Sequence, residues 1–358
     1  MTANGIETPA GVLNPLIGRA AKATKLDLVQ QAGPDGIMVD LQGHPIYYSI
    51  HSDKTFGAFV RKNGLLDPDK LRAFDPNISF PVDTLTLKAA WKVVEPGENV
   101  SSFYTKQAKI ALLAMKNGQI VVTRGTVTKK VALVGFHIAG TVNGHPEMIW
   151  ATFEQMQNAP DLPKAMNQMA PNDAVSDKDW TFYTAKTPFK SCNVNSAGAG
   201  ALKLDEAAQT LSPVTQVCRI VPYGGGTTGN VANIMTLNDS VHETLTGVWK
   251  NYFEVGAIWF NRPDGLKPDC TFQPGALQCS PTPILTGSTQ LSNATVETFT
   301  QSQSAQDNCF ACHNTVQVTS PNTSMSSLPG KNVDISHVLI NAYFDAAPKT
   351  RPKTRPKR

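Results

Sequence analysis

The residues best placed to do chemistry lie in one short string, Cys309-Phe310-Ala311-Cys312-His313. Two thiols three positions apart fall on the same side of one helical turn, and an imidazole follows at once. C-x-x-C-H is the attachment pattern of a covalent c-type haem. Each thiol can reach one haem vinyl group and form a thioether, and His313 then projects at the iron as the proximal ligand. One covalent haem c is therefore the expected cofactor, held by Cys309, Cys312 and His313. Two rival chemistries use the same residues. A thioredoxin-like dithiol normally follows an early strand of a βαβ unit, whereas this pair comes late and after a linker. A zinc site needs about four ligands, which Cys309, Cys312, His313 and His337 could supply, but adjacent Cys and His rarely share one metal.

The sixth iron position has three candidates. His337 lies 24 residues beyond His313, in DISHVLINAYF. Met325 lies in the Ser/Thr-rich loop between them, and His137 lies in an apolar strand of the preceding domain. His337 is the expected ligand, with Met325 as the alternative, because a helix holds a ligand more firmly than such a loop. A bis-His site would have a lower potential than a His/Met site.

The other four cysteines are Cys192, Cys218, Cys270 and Cys279. The simplest pairing is Cys192–Cys218 and Cys270–Cys279, although four cysteines allow three connectivities. Bridges would place the protein outside a reducing cytoplasm, and the alternative is four unrelated buried thiols. Gly224-Gly225-Gly226-Thr227-Thr228-Gly229 fits G-x-G-x-x-G, with Glu243 near the distance of the acidic partner of a dinucleotide site. Such a site needs a βαβ unit, and the surroundings read as hairpins, so a flexible turn is expected. No G-x-S-x-G or H-E-x-x-H string occurs to support a hydrolase.

The elements that must position these groups are mostly strands. In TLTLKAAWKVV, Leu85, Leu87, Ala89, Trp91 and Val93 alternate with Thr86, Lys88 and Lys92, which predicts a half-buried strand. Asn143-Gly144 separates two apolar runs at 131–142 and 147–154. Asn117-Gly118 separates two more, and both dipeptides favour tight hairpin turns. IMVDL and PIYYSI flank Gly43 in the same way. In NDSVHETLTGVWKNY, the spacing of Val241, Leu245, Val248, Trp249 and Tyr252 predicts a helix capped by Asn238 or Asp239. Residues 261–289 read as a Pro/Gly/Ser/Thr-rich linker. After it, LSNATVETFTQ predicts a short helix capped by Ser292 or Asn293, and DISHVLINAYF a three-turn helix capped by Asp334.

The expected fold class is α+β: a β-rich hairpin domain followed by a small, mainly helical cytochrome c-like haem module. The expected divisions are a poorly ordered 1–35, the β-rich domain over 36–280, the haem module over 285–347, and a basic disordered tail over 348–358. Formal net charge is +4, and the last ten residues hold six Lys or Arg; without those six the chain carries −2. A near-neutral body argues against a nucleic-acid surface, while the tail is free to contact acidic surfaces. No run of ~18 apolar residues predicts a transmembrane segment. The N-terminus also lacks the basic and apolar regions of a signal peptide, so export implies a removed signal or a late start at Met1.

The stretch from about 285 to 347 resembles a small c-type cytochrome module through Cys309, Cys312 and His313. It departs from the common single-haem cytochrome c, where the attachment motif comes early and a Met ligand much later. Together, KAAWKVV, LVGFHIAG, GHPEMIWATFE, NYFEVGAIW and NCFACHN resemble uncharacterised bacterial secreted proteins of the cytochrome c family, over most of 36–345. That resemblance implies haem binding and a periplasmic or secreted location. The expected function is electron transfer with a redox partner protein. The alternatives are a periplasmic haem oxidoreductase or peroxidase-like enzyme with its active site between the domains, and a haem-based sensor.

Overall fold

A computed structural model describes Val29 and residues 36–226, 229–263, 265–272, 279, 283–301, 307–319 and 325–345. The expected lead-in over 1–35, Val29 apart, and the basic tail lie outside the described residues. The protein is mixed α/β and strand-rich. In chain order it forms β1 (Tyr47–Ser52), α1 (Lys54–Asn63), α2 (Pro68–Ala73), β2 (Leu85–Val93), β3 (Thr105–Lys116), β4 (Gln119–Val142) and β5 (His145–Gln155). There follow β6 (Lys203–Asp205), β7 (Thr210–Ser212), β8 (Gly225–Gly226), α3 (Asn230–His242), β9 (Tyr252–Phe260), β10 (Leu285–Gln290), α4 (Cys309–Cys312) and α5 (Val338–Asp345).

One antiparallel sheet runs β1-β2-β4-β5-β9-β10-β8, with β3 paired to the first half of β4. Both Asn-Gly hairpins form where expected. Asn117 and Gly118 have φ of 52° and 76°, the left-handed pair that a two-residue hairpin turn requires. The sheet is covered on both faces. Tyr47, Ala89, Val131 and Leu133 enter one core, while their neighbours Tyr48, Ala90, Ala132 and Val134 enter another. β2 is therefore not half-buried as its alternation predicts: Lys92 is buried too, paired with Glu98.

A β-bulge decides what β4 offers the site. Trp91 pairs with Leu133 but Ala90 pairs with Gly135, so β4 carries one extra residue there. An extra residue moves every following side chain to the opposite face. His137 then stands across from Lys88, on the face shared with Ala90.

The C-terminal third is woven into this sheet. β10 lies at the end of the expected linker and pairs with β9. Phe310, Leu328, Val333, Ile335, Val338 and Tyr343 share one core with Phe56, Val60 and Leu71 of α1 and α2, and with Trp150, Val255 and Phe260 of the sheet. Among the described residues of 285–347, the helical content expected of a module is limited to α4, α5 and short 3-10 turns.

Three helices differ from expectation. The one expected from Asn238 instead ends at His242 as α3, because Asn238 is a bolt rather than a cap. Its amide donates to the Glu254 carbonyl at 2.8 Å and accepts from Glu254 N at 2.7 Å, tying α3 to β9. In LSNATVETFTQ only Thr298–Thr300 is helical, as a 3-10 turn, because Asn293 bonds to Thr152 and Phe153 of β5. DISHVLINAYF is split at His337 into a 3-10 turn, Asn332–Ser336, and α5. The glycine-rich string belongs to β8 and its approach to β10. A Cβ at Gly225 or Gly226 would collide with Gln290 or Thr289, so close strand packing accounts for these glycines. The dinucleotide reading has no parallel strand pair to rest on among the described sheets.

Arg219, 4% exposed, is the polar centre of the irregular stretch between β5 and β9. Its guanidinium donates to Glu154 at 2.7 Å and to the carbonyls of Ala159, Gln155 and Met156 at 2.5, 3.0 and 3.1 Å. Removing it leaves Glu154 buried without its counter-charge and strands three carbonyls. R219M is expected to destabilise the protein by about 3–5 kcal/mol in urea unfolding, and a loss under ~1 kcal/mol would rule out this role.

Candidate functional site

The C-x-x-C-H turn is fixed by its middle. Asn308 caps α4 by accepting from Phe310 N at 3.0 Å, and Leu291 N donates to the Asp307 carbonyl at 2.6 Å, holding the turn to the end of β10. Phe310 is fully buried, its ring centroid 4.6 Å from that of Phe260, 6.0 Å from Phe272 and 6.4 Å from Trp150. With Phe310 driven inward, Cys309 is half-buried and Cys312 exposed. His313 continues the turn, its N–H bonded to the Cys309 carbonyl at 2.8 Å.

His313 and His337 meet. Their rings stack with centroids 4.2 Å apart and planes at 27°, and the Trp150 ring lies 4.0 Å from His313 on β5. The His313 ring is pinned by the segment that carries His337, its Nδ1 donating to the Ile335 carbonyl at 2.8 Å. A ring nitrogen facing a carbonyl must carry the proton, so His313 keeps Nε2 as a free lone pair, the form a metal ligand needs. His337 has φ 57° and ψ −9°, a left-handed conformation that is costly for a non-glycine residue and characteristic of functional sites. This backbone breaks the predicted helix.

A cavity of about 310 Å³ opens beside the pair, its walls including Thr86, Lys88, His137, Trp150, His313 and His337. Met325 packs against the core and is not among the cavity residues, so the structure brings His337 and His137 to His313, and not Met325. Cys309 and Cys312 stand on the turn behind His313, outside the cavity lining. Lys88 and Glu297 carry no sequence signal of their own. Lys88 reaches the cavity as the cross-strand neighbour of His137 beyond the bulge, and Glu297 pairs with His137 Nε2 at 2.7 Å.

Burial governs the titration of the cluster. It pushes His313 well below the usual histidine range, with help from the His337 charge, and His337 down to about 4. Burial raises the Glu297 carboxyl, but His137 and Lys88 outweigh it and hold the group below the carboxylate range. The Lys88 ammonium is lowered by burial, against the pull of Glu297 and Cys312. Burial raises both site thiols, with Glu297 adding to the effect. A catalytic dithiol needs a lowered thiol pKa, so this environment opposes the thioredoxin-like reading. No group of three or more His, Cys, Asp or Glu among the described residues is placed to hold a metal ion, which opposes the zinc reading.

Of the expected disulfides, Cys270–Cys279 is formed, with Cα atoms 5.3 Å apart; Cys192 and Cys218 carry free thiols. No helix among the described residues is long and apolar enough to cross a membrane. No protein-family model, curated protein or solved structure matches the chain.

The depressed His337 pKa gives a pH prediction for haem-free protein. Between about pH 6.5, its unfolded value, and about pH 4, its folded value, the unfolded chain binds the extra proton. His337 therefore contributes stability that is complete above this window and lost as pH falls through it. Asp334 and Asp40, raised by burial to about 7 and about 6, have the opposite slope. The His337 contribution is thus read as the difference from H337N. With His337 partly exposed, wild type should lose about 2 kcal/mol more than H337N between pH 7 and pH 4. Parallel pH profiles in urea unfolding would contradict it.

Proposed function

We propose that this protein is a c-type cytochrome that transfers electrons through one haem c, attached at Cys309 and Cys312 and ligated by His313 and His337. The observation that carries the reading is the meeting of His313 and His337 at one cavity, directly beside two thiols on a single helical turn. The residues fit the group. Both thiols sit on one turn, and His313 is held by its Nδ1 bond with Nε2 left for iron. Ile50, Leu87, Ala139 and Trp150 give the cavity an apolar wall suited to a macrocycle. The two rings stack on each other here, so holding the group between them would require one ring to turn. His337, at the joint between a 3-10 turn and α5, is the ring with a joint to turn on.

Haem supplies one-electron exchange when bound. The chain's own part is to fix the proximal ring, shield the macrocycle behind the sheet, and set the local charge through Lys88, Glu297 and His137. In this reading the segment after residue 285 is a haem module folded onto the sheet rather than standing apart from it. Thioether attachment belongs to the exported side of a bacterial membrane, so we assign the protein to the periplasm or the secreted fraction, with a redox protein as partner. The formed Cys270–Cys279 bridge agrees with an oxidising compartment. One observation favours a haem oxidoreductase instead. His137 and Lys88 line the same cavity as His337, with Glu297 paired to His137, so a displaced His337 would leave acid–base groups at the site.

The test is a pyridine haemochrome spectrum after acid–acetone extraction, on protein from a host that matures cytochromes c. Haem colour should stay with the polypeptide, and should be lost entirely in C309S/C312S. Extraction of all haem from wild type would end the reading. H337A should convert a low-spin spectrum to high-spin with a shifted potential. A low-spin spectrum that survives H337A removes His337 from the iron, and a wild type already high-spin favours the oxidoreductase.

A further inference from the structure

Away from the haem cavity, Cys192 and Cys218 face each other in the irregular stretch between β5 and β9. Cys218 is fully buried and Cys192 half-buried, both in a small apolar cluster with Met169, Val175 and Tyr183. Asn193, next in the chain to Cys192, brings its side-chain nitrogen to 4.0 Å from Cys218 Sγ. The backbones of the two cysteines are held in register by Asn193. Its N–H donates to the Gln216 carbonyl at 2.7 Å, its side-chain amide donates to the Cys218 carbonyl at 3.0 Å, and its side-chain oxygen accepts from Cys218 N at 3.2 Å. Cys192 also bridges to Gln216 in a parallel β-pair. These bonds set the Cys192 and Cys218 segments side by side, the first condition for a disulfide between them.

We propose that Cys192 and Cys218 are a second disulfide site, closed by exchange with the disulfide of a thiol-oxidising protein, and that the bridge clamps this stretch around Arg219. Cys192, the accessible sulfur, attacks as thiolate and forms a mixed disulfide with the oxidant. Cys218 then displaces the oxidant's sulfur. Two S–H bonds are lost from this chain and one S–S bond forms, while the oxidant's disulfide takes up two electrons and two protons as a dithiol. The clamp has a reason to exist here. Between residues 156 and 224 the regular elements are two three-residue strands, β6 and β7, and two 3-10 turns, and Cys218 is covalently next to Arg219, whose bonds gather five separate backbone and side-chain groups. A covalent link raises the cost of opening such a loop mainly by restricting its unfolded state. The proposal does not depend on haem.

Full-length protein recovered from an oxidising compartment would be alkylated in denaturant without reductant, digested and mapped by mass. The peptides carrying Cys192 and Cys218 should appear as one linked species that separates on reduction. Alkyl label on both residues, or either one linked to another cysteine, would overturn the assignment. Limited proteolysis of C192S/C218S, which retains Cys270–Cys279, should cut within 160–220 roughly tenfold faster or more than oxidised wild type. Equal rates would overturn the clamp. If the double variant does not fold, the peptide map on wild type still decides the bridge.

Discussion

Phe310 is the middle of the C-x-x-C-H string and the side chain on which its geometry turns. It has no exposed surface, and its ring lies among those of Phe260, Phe272 and Trp150. Burying an aromatic ring of this size is among the larger single contributions available to a core. That burial sets the rotation of α4, which in turn places Cys309 and Cys312 on the outer side and aims His313 along Trp150. α5 and the 3-10 turn before it enter the same core through Val333, Ile335, Val338 and Leu339, which delivers His337 to the other side of the pair. One shared core thus fixes both imidazoles.

Polar groups then refine what the core delivers. Two half-buried imidazoles side by side repel any second proton, and His313 commits Nδ1 to the Ile335 carbonyl of the other segment. The pair is neutral and oriented at ordinary pH. Lys88, Glu297 and His137 form a second, charged layer beside it, in which the Glu297 carboxylate stays ionised because both neighbours favour its charge. Burial disfavours the charge on the acid and the lysine alike, and their mutual attraction works against it in both.

Much of this was legible in the sequence where a local rule was sufficient. Both Asn-Gly turns and the strands of β2, β4 and β5 follow from residue types alone, while Cys270–Cys279 is one half of the simplest of three possible pairings, the other half being unformed. The string at 309–313 comes from type and spacing; a helical position favours His337 over Met325, and His337 reaches the cavity instead from the break between a 3-10 turn and α5. What failed did so for tertiary reasons. The helix expected at 238–252 was displaced because Asn238, a good cap by type, is used to bolt α3 to β9. DISHVLINAYF has a continuous helical pattern, and nothing in it announces the left-handed backbone at His337. Lys88 and His137 read as opposite in role, one on a solvent face and one in an apolar strand. A single bulge puts them side by side, and a period-two reading has no means of seeing it.

The same bulge bears on why so large a β-rich body accompanies a haem motif. If the sheet merely shielded a separate helical module, the cavity would be lined by residues from the C-terminal segment alone. Instead Ile50 comes from β1, Thr86, Leu87 and Lys88 from β2, His137 and Ala139 from β4, and Trp150 from β5. The C-terminal segment contributes His313 and the residues around His337. Neither part encloses the cavity without the other, so the sheet is one wall of the site. Four adjacent strands line one side of the cavity, and the segment carrying the thiols adds one turn and a short helix to complete it.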